Sequence, residues 1–266
     1  MTTEGRALRI VSVGHALLAL TLIAFGIQGF ITADFAQLWR PAFRNVPARE
    51  ALVYLCSVVS LGCGIGLVVR RTAAAASRVL LGFFVAWLAL MRLPILFVAF
   101  AVNTWWACAQ TSAMTGAAWV LYVWLGGDHD ARRVGFAAGS GSVRIAQSLY
   151  GIGLIPFGIA HFLYMQNTAP LVPAWLPWHT AFGYFTGAAF IAAGLAAISG
   201  VLARIAVALS ALQIGLFTVL IWVPVVLKTT KPSDWGEFAV SCALTAAGWV
   251  VAESYRVGVR STRGAE

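Results

Sequence analysis

The sequence predicts an all-α protein, a polytopic membrane bundle of eight transmembrane helices built from two parallel four-helix repeats. Three observations predict it. Of 266 residues, 61% are apolar, against roughly 45–50% in soluble domains even with glycine counted. Charge is scarce, with 18 Lys and Arg and 9 Asp and Glu, where about a quarter of a soluble protein is charged. The two halves of the chain also match each other at a spacing near 130 residues. A mean hydropathy of +0.86 excludes disorder, a disulfide scaffold and an ordinary soluble enzyme.

A spanning helix needs about 20 mainly apolar residues. Eight stretches qualify: 9–32, 50–69, 78–101, 105–126, 144–165, 178–199, 202–227 and 236–255. They are apolar on nearly all sides, as membrane-buried helices are, whereas a barrel strand alternates over about ten positions. The first is too long for a cleavable signal peptide, and no small-residue cleavage site follows it. Twelve basic residues fall on one side, namely Arg6, Arg9, Arg70, Arg71, Arg78, Arg132, Arg133, Arg144, Arg204, Arg256, Arg260 and Arg263. The opposite loops hold five, Arg40, Arg44, Arg49, Lys228 and Lys231. The positive-inside rule therefore predicts cytoplasmic termini. It also accounts for the net charge of +9: the basic residues separate apolar runs and form no stripe with exposed aromatics, so nucleic acid is not an expected partner.

The segment 127–143 is polar and glycine-rich and reads as a cytoplasmic linker. It divides the chain into residues 1–126 and 144–266, four predicted spans each. Phe25, Gly26, Ile27 and Phe30 recur 132 positions later as Phe157, Gly158, Ile159 and Phe162. Further on the spacing is 130: Tyr54 meets Tyr184, Gly64 meets Gly194, Pro94 meets Pro224, Trp105 meets Trp235 and Trp119 meets Trp249. An even number of spans per repeat keeps both copies in one orientation. The steps Gly62 to Gly66 and Gly183 to Gly187 offer close helix packing. Pro94 and Pro224 are expected to kink the third helix of each copy, since proline removes a backbone hydrogen bond.

Ionisable groups inside the bilayer are the default functional candidates. Arg92 lies well inside the third span, opposite Trp222 of the other copy. It reads either as a snorkelling or paired arginine, or as a ligand for an anion or polar head facing a cavity. Asp34, Glu50 and Glu237, near the outer helix ends, are its candidate counter-ions. His161 lies near the outer end of the fifth span, able to donate a hydrogen bond or exchange a proton, or simply packed against a carbonyl. His179 lies on another helix and meets His161 only through the fold. The loop 167–179 has three prolines, which oppose a regular helix, and Trp175 and Trp178, which favour the membrane interface. It reads as an aromatic belt or as a lid over an outward-facing pocket. The candidate ligand-binding set is thus Arg92, His161, Trp175, Trp178 and His179.

Cys56 and Cys63 are two helical turns apart, about 10 Å, too far for a disulfide. No Cys-x-x-Cys is present, and no spacing matches a zinc, haem, flavin or iron–sulfur motif.

His161-Phe162, Leu171-Val172-Pro173-Ala174-Trp175-Leu176-Pro177, Tyr184-Phe185-Thr186-Gly187, Gly194-Leu195 and Arg204 together resemble the DoxX family of four-helix membrane proteins. The likeness covers about 145–227, and residues 10–122 look like a diverged second unit. Some DoxX-like proteins are subunits of a thiosulfate:quinone oxidoreductase, and others are associated with membrane oxidative-stress complexes. The resemblance therefore implies a bacterial-type inner-membrane protein and a quinone-interacting subunit of an oxidoreductase system, served either by a direct substrate-to-quinone step or by a redox partner protein. Its alternative is a non-catalytic scaffold or a small-solute transporter. The chain departs from the family where many relatives carry an acidic residue three positions after the Thr-Gly glycine: here that position is Phe190, with Ser60 in the first copy.

Overall fold

A computed structural model describes residues 8–41, 46–98, 102–126 and 140–263, with side chains except at 102–103, 140 and 257–263. Eight long helices carry the described chain: α1 (Val13–Thr32), α2 (Arg49–Val68), α3 (Ala73–Val98), α4 (Val102–Leu125), α5 (Ser140–Leu163), α6 (His179–Ser199), α7 (Ala203–Val226) and α8 (Pro232–Arg263). No strand forms among the described residues, where an isolated bridge joins Leu8 to Val69. All of these helices except α4 are long and apolar enough to cross a membrane, which makes seven. The chain is a helical, apolar bundle of the multi-pass membrane kind.

The stretch read as the fourth span does form a helix, but α4 falls short of the other seven in apolarity. Gln110, Thr111, Ser112 and Thr115 are all buried in it. Sheltered by α3, α5 and α8, α4 does not need a lipid-compatible surface. Its hydroxyls find acceptors instead: Ser112 donates to the Leu149 carbonyl at 2.8 Å and Thr115 to that of Thr111 at 2.7 Å, as polar groups inside a bundle must. Two helix ends differ most from the apolar runs. Helix α3 starts at Ala73, five residues before the predicted 78, and α8 continues to Arg263, past the predicted 255. Alanine is the best helix former, and a helix leaving the bilayer need not be apolar. Most of the predicted linker, including His129, Arg132 and Arg133, lies outside the described residues, as do Arg6 and Arg44.

Close glycine contacts set the helix pairs. A Cβ on Gly158 of α5 would stand 2.5 Å from the Gly187 carbonyl oxygen of α6. On α2 a Cβ on Gly64 would stand 2.8 Å from the Ala19 carbonyl oxygen of α1, whereas Gly62 has open space around it. Backbones so close leave room for no side chain. In α2, then, the packing falls on Gly64 and Gly66 rather than on Gly62. Helix α4 packs on α5, α1 on α8, and α8 also on α4.

Both α3 and α7 widen into a five-residue π turn, Leu88–Arg92 and Thr218–Trp222, just before Pro94 and Pro224. Proline cannot donate, and its ring crowds the carbonyl four residues back; the wider i→i+5 turn relieves that crowding. Other features recur at the same spacings. Helix starts fall at Ala73 and Ala203, and left-handed residues precede α2 and α6 at Ala48 and Trp178. Short 3-10 turns occupy Gln37–Trp39 and Ala169–Leu171, in the loops between α1 and α2 and between α5 and α6.

The first of these turns points inward. Trp39 is 1% exposed, its ring 5.1 Å from that of Phe83, 4.8 Å from Phe84 and 5.7 Å from Trp87. Its indole N–H donates to Ser60 Oγ at 2.7 Å, which satisfies the one polar atom of a large buried ring.

Candidate functional site

A cavity of about 1280 Å³ lies among α3 to α8, larger than a typical small-molecule pocket of roughly 300–1,000 Å³. Gln37, Arg40, Tyr164, Asn167 and Glu237 give it a polar end. Its body is aromatic and aliphatic, with Trp106, Phe157, Phe190, Ile214, Phe217 and Leu244. Such a lining takes a mostly apolar ligand and orients it by a few polar atoms.

Arg92 and His161, from different halves of the chain, both line this cavity. Arg92 sits at the end of the π turn of α3 and is 3% exposed. One terminal nitrogen donates to the Leu38 carbonyl at 2.9 Å, which ties α3 to the inward turn that carries Trp39. Cys108 donates to the backbone carbonyl of Arg92 at 3.2 Å. The arginine Nε, by contrast, has no hydrogen-bond partner among the described residues. A buried donor left unpaired costs on the order of 1–3 kcal/mol.

His161, 9% exposed on α5, is held by its own helix: Nδ1 is 2.7 Å from the Phe157 carbonyl oxygen. The carbonyl only accepts, so Nδ1 carries the proton, and the neutral ring presents Nε2 as an acceptor. The sequence leaves His161 open between a hydrogen-bond donor or proton exchanger and a ring packed against a carbonyl; its Nδ1 meets the Phe157 carbonyl, and in the neutral form the nitrogen that remains accepts. Its ring lies 5.5 Å from that of Phe190 and stacks at 6.4 Å with that of Phe217.

Of the three counter-ions proposed for Arg92, Asp34 pairs with Arg49 at 2.5 Å instead, and Glu50 is exposed at the start of α2. Glu237 shares the cavity lining with Arg92, but its carboxylate accepts from Gln37 Nε2 at 3.1 Å. Arg92 is thus anchored on a carbonyl rather than on Asp34. Trp175 and Trp178 are 70% and 80% exposed and lie outside the cavity lining, as does His179, half-buried at the first turn of α6. The loop reaches the cavity through Leu171, Val172, Pro173 and Leu176, so its aliphatic side chains face in while its tryptophans face out.

Phe190, Gln213, Phe217 and Trp106 also line the cavity, and nothing in their local sequence marks them as site residues. The first three become visible only when the 130-residue register is applied around the buried Trp39. Trp106 carries no signal beyond its place in an apolar run. Among the described residues no three His, Cys, Asp or Glu side chains gather as a metal site. Comparison of the chain with protein-family models, curated proteins and solved structures finds no match.

Proposed function

We propose that this chain is a DoxX-like integral membrane protein whose cavity binds a membrane quinone, as the quinone-interacting subunit of an oxidoreductase system. The observation that carries the reading is that Arg92 and His161, from different halves of the chain, line one aromatic-walled cavity. The residues fit a quinone. Arg92 brings a buried cation to the lining, which favours a polar ring oxygen near it, while neutral His161 accepts from a quinol hydroxyl through Nε2. The rings of Phe190 and Phe217 flank His161 and exclude water from that oxygen. When bound, a quinone supplies two-electron, two-proton chemistry, and the electrons come from a substrate or from a redox partner protein.

The same reading takes the bundle as two parallel four-helix repeats with eight spans and cytoplasmic termini, in a bacterial-type inner membrane. Supporting eight spans, the 24 residues of α4 reach about 36 Å at 1.5 Å per residue, more than the roughly 30 Å hydrocarbon layer. Supporting the repeat are the π turns, the left-handed caps and the helix starts that recur at one spacing. The distribution of arginine supports the orientation.

A binding titration with decyl benzoquinone on purified protein in nanodiscs tests the function. Saturable binding is expected, weakened at least tenfold in Arg92→Gln and in His161→Ala. A folded wild-type protein without saturable binding contradicts the quinone reading and favours a scaffold or small-solute transporter.

A further inference from the structure

The two halves of the bundle treat one place in opposite ways. In the first half the Trp39 indole is buried against Phe83, Phe84 and Trp87, with its N–H on Ser60. The residues 130 positions after those four contacts are Gln213, Ile214, Phe217 and Phe190, and all four line the cavity. Trp39 is the last residue of a three-residue 3-10 turn. The loop between α5 and α6 has the same turn, and its last residue is Leu171, which lines the cavity where Trp39 fills its counterpart. The first half therefore plugs with its own ring a place that is cavity lining in the second half, where the His161 ring rests against Phe190 and Phe217.

A ring alone does not fill about 1280 Å³. The lining follows α7 from Leu209 to Trp222, a run of about 20 Å at 1.5 Å per residue. Along it Leu209, Leu212 and Leu216 are 58%, 48% and 47% exposed, and Phe185 of α6, also in the lining, is 68% exposed. In a bilayer such surface faces acyl chains, so the cavity opens sideways into lipid between α6 and α7. A bond from Gln213 Nε2 to the Thr186 carbonyl at 3.2 Å ties the two walls together.

We infer that the cavity seats a planar ring in the place that Trp39 plugs in the first half, and that an alkyl or isoprenoid chain on this ring leaves between α6 and α7. The chemical identity of the ring rests on the quinone reading; the seat does not. It selects flat rings over bare chains, and the lateral opening selects ligands dissolved in the membrane.

Three chain-matched probes, decyl benzoquinone, decylnaphthalene and decanol, test this on the full chain in nanodiscs. Both ring compounds are expected to bind at least tenfold more tightly than decanol. The seat is then plugged with Leu171→Trp, alone and together with Phe190→Ser, which supplies the hydroxyl that Ser60 gives Trp39. The introduced indole should be shielded from acrylamide, and ring affinity should fall at least tenfold while Tm stays at or above that of the wild type. If decylnaphthalene is retained over decanol and benzoquinone gains nothing further, the seat stands and the quinone reading falls. If benzoquinone binds the wild-type and plugged proteins alike, the seat is overturned and the quinone reading stands. Rings that bind no better than decanol overturn the seat outright.

Discussion

Trp39 and Arg92 show how single side chains decide which half of this bundle is solid. The indole closes the first half, and Arg92 holds the turn that carries it through the Leu38 carbonyl. Trp39→Ala should therefore cost about 3–5 kcal/mol, the usual range for deleting a buried large aromatic. Ser60→Ala should cost about 1–3 kcal/mol, because it strands the buried indole N–H without a partner. Chemical unfolding in detergent measures both, and a Trp39→Ala loss below 1 kcal/mol would mean that the ring is not packed as described. The sequence singled out Arg92 and His161 because charge and imidazole are rare within apolar spans. It did not single out Trp39, since a tryptophan in an outer loop looks the same whether it turns into the bundle or out to the interface. For that reason too Trp175 and Trp178 were read into the site, although it is the leucines beside them that face it. Hydropathy does not tell which face of an irregular loop is covered.

Several helix pairs in this fold depend on close approach at a glycine, so the same substitution has unequal effects along an element. Gly158→Val on α5 pushes against the Gly187 carbonyl and should destabilise by about 1–3 kcal/mol, as overpacking does. Because His161 sits one turn further along α5, this change should also weaken ligand binding. Gly62→Val on α2, where space is open, should stay within about 0.5 kcal/mol of wild type. Unfolding curves for the two variants check the contrast, and equal losses would contradict the packing. Hydropathy made the helices legible almost throughout, because lipid-facing segments must be apolar. It says less about α4, whose polar groups are satisfied by neighbouring helices. The π turns were foreshadowed only by Pro94 and Pro224: proline predicts a disturbance in a helix without specifying its form. The glycine pairs were half legible, since spacing marks small residues but not which of them meets a backbone.

At the scale of the whole molecule, the eight-span reading depends on α4 crossing the membrane. Glu50→Cys, Gln166→Cys and Thr230→Cys should all react with a membrane-impermeant maleimide in intact cells, and Ser199→Cys only after permeabilisation. Were α4 not to cross, Glu50→Cys and Gln166→Cys would label from opposite sides. The recurring spacing was legible in the sequence as matched glycines, prolines and tryptophans; the unequal filling of the halves was not, because it turns on whether a loop side chain reaches inward. Nor does any spacing along the chain show that Arg92 and His161, from different halves, line one cavity; that requires α3 and α5 to be brought around it. The most direct measurement of the central claim is photolabelling with a benzoquinone that carries a photoreactive group on its chain, followed by peptide mapping. Adducts should concentrate on α6 and α7 near Phe185, Leu212 and Leu216, and excess unlabelled quinone should abolish them. Adducts spread over lipid-facing positions such as Leu20, Val58 and Val79, and unaffected by competitor, would contradict it.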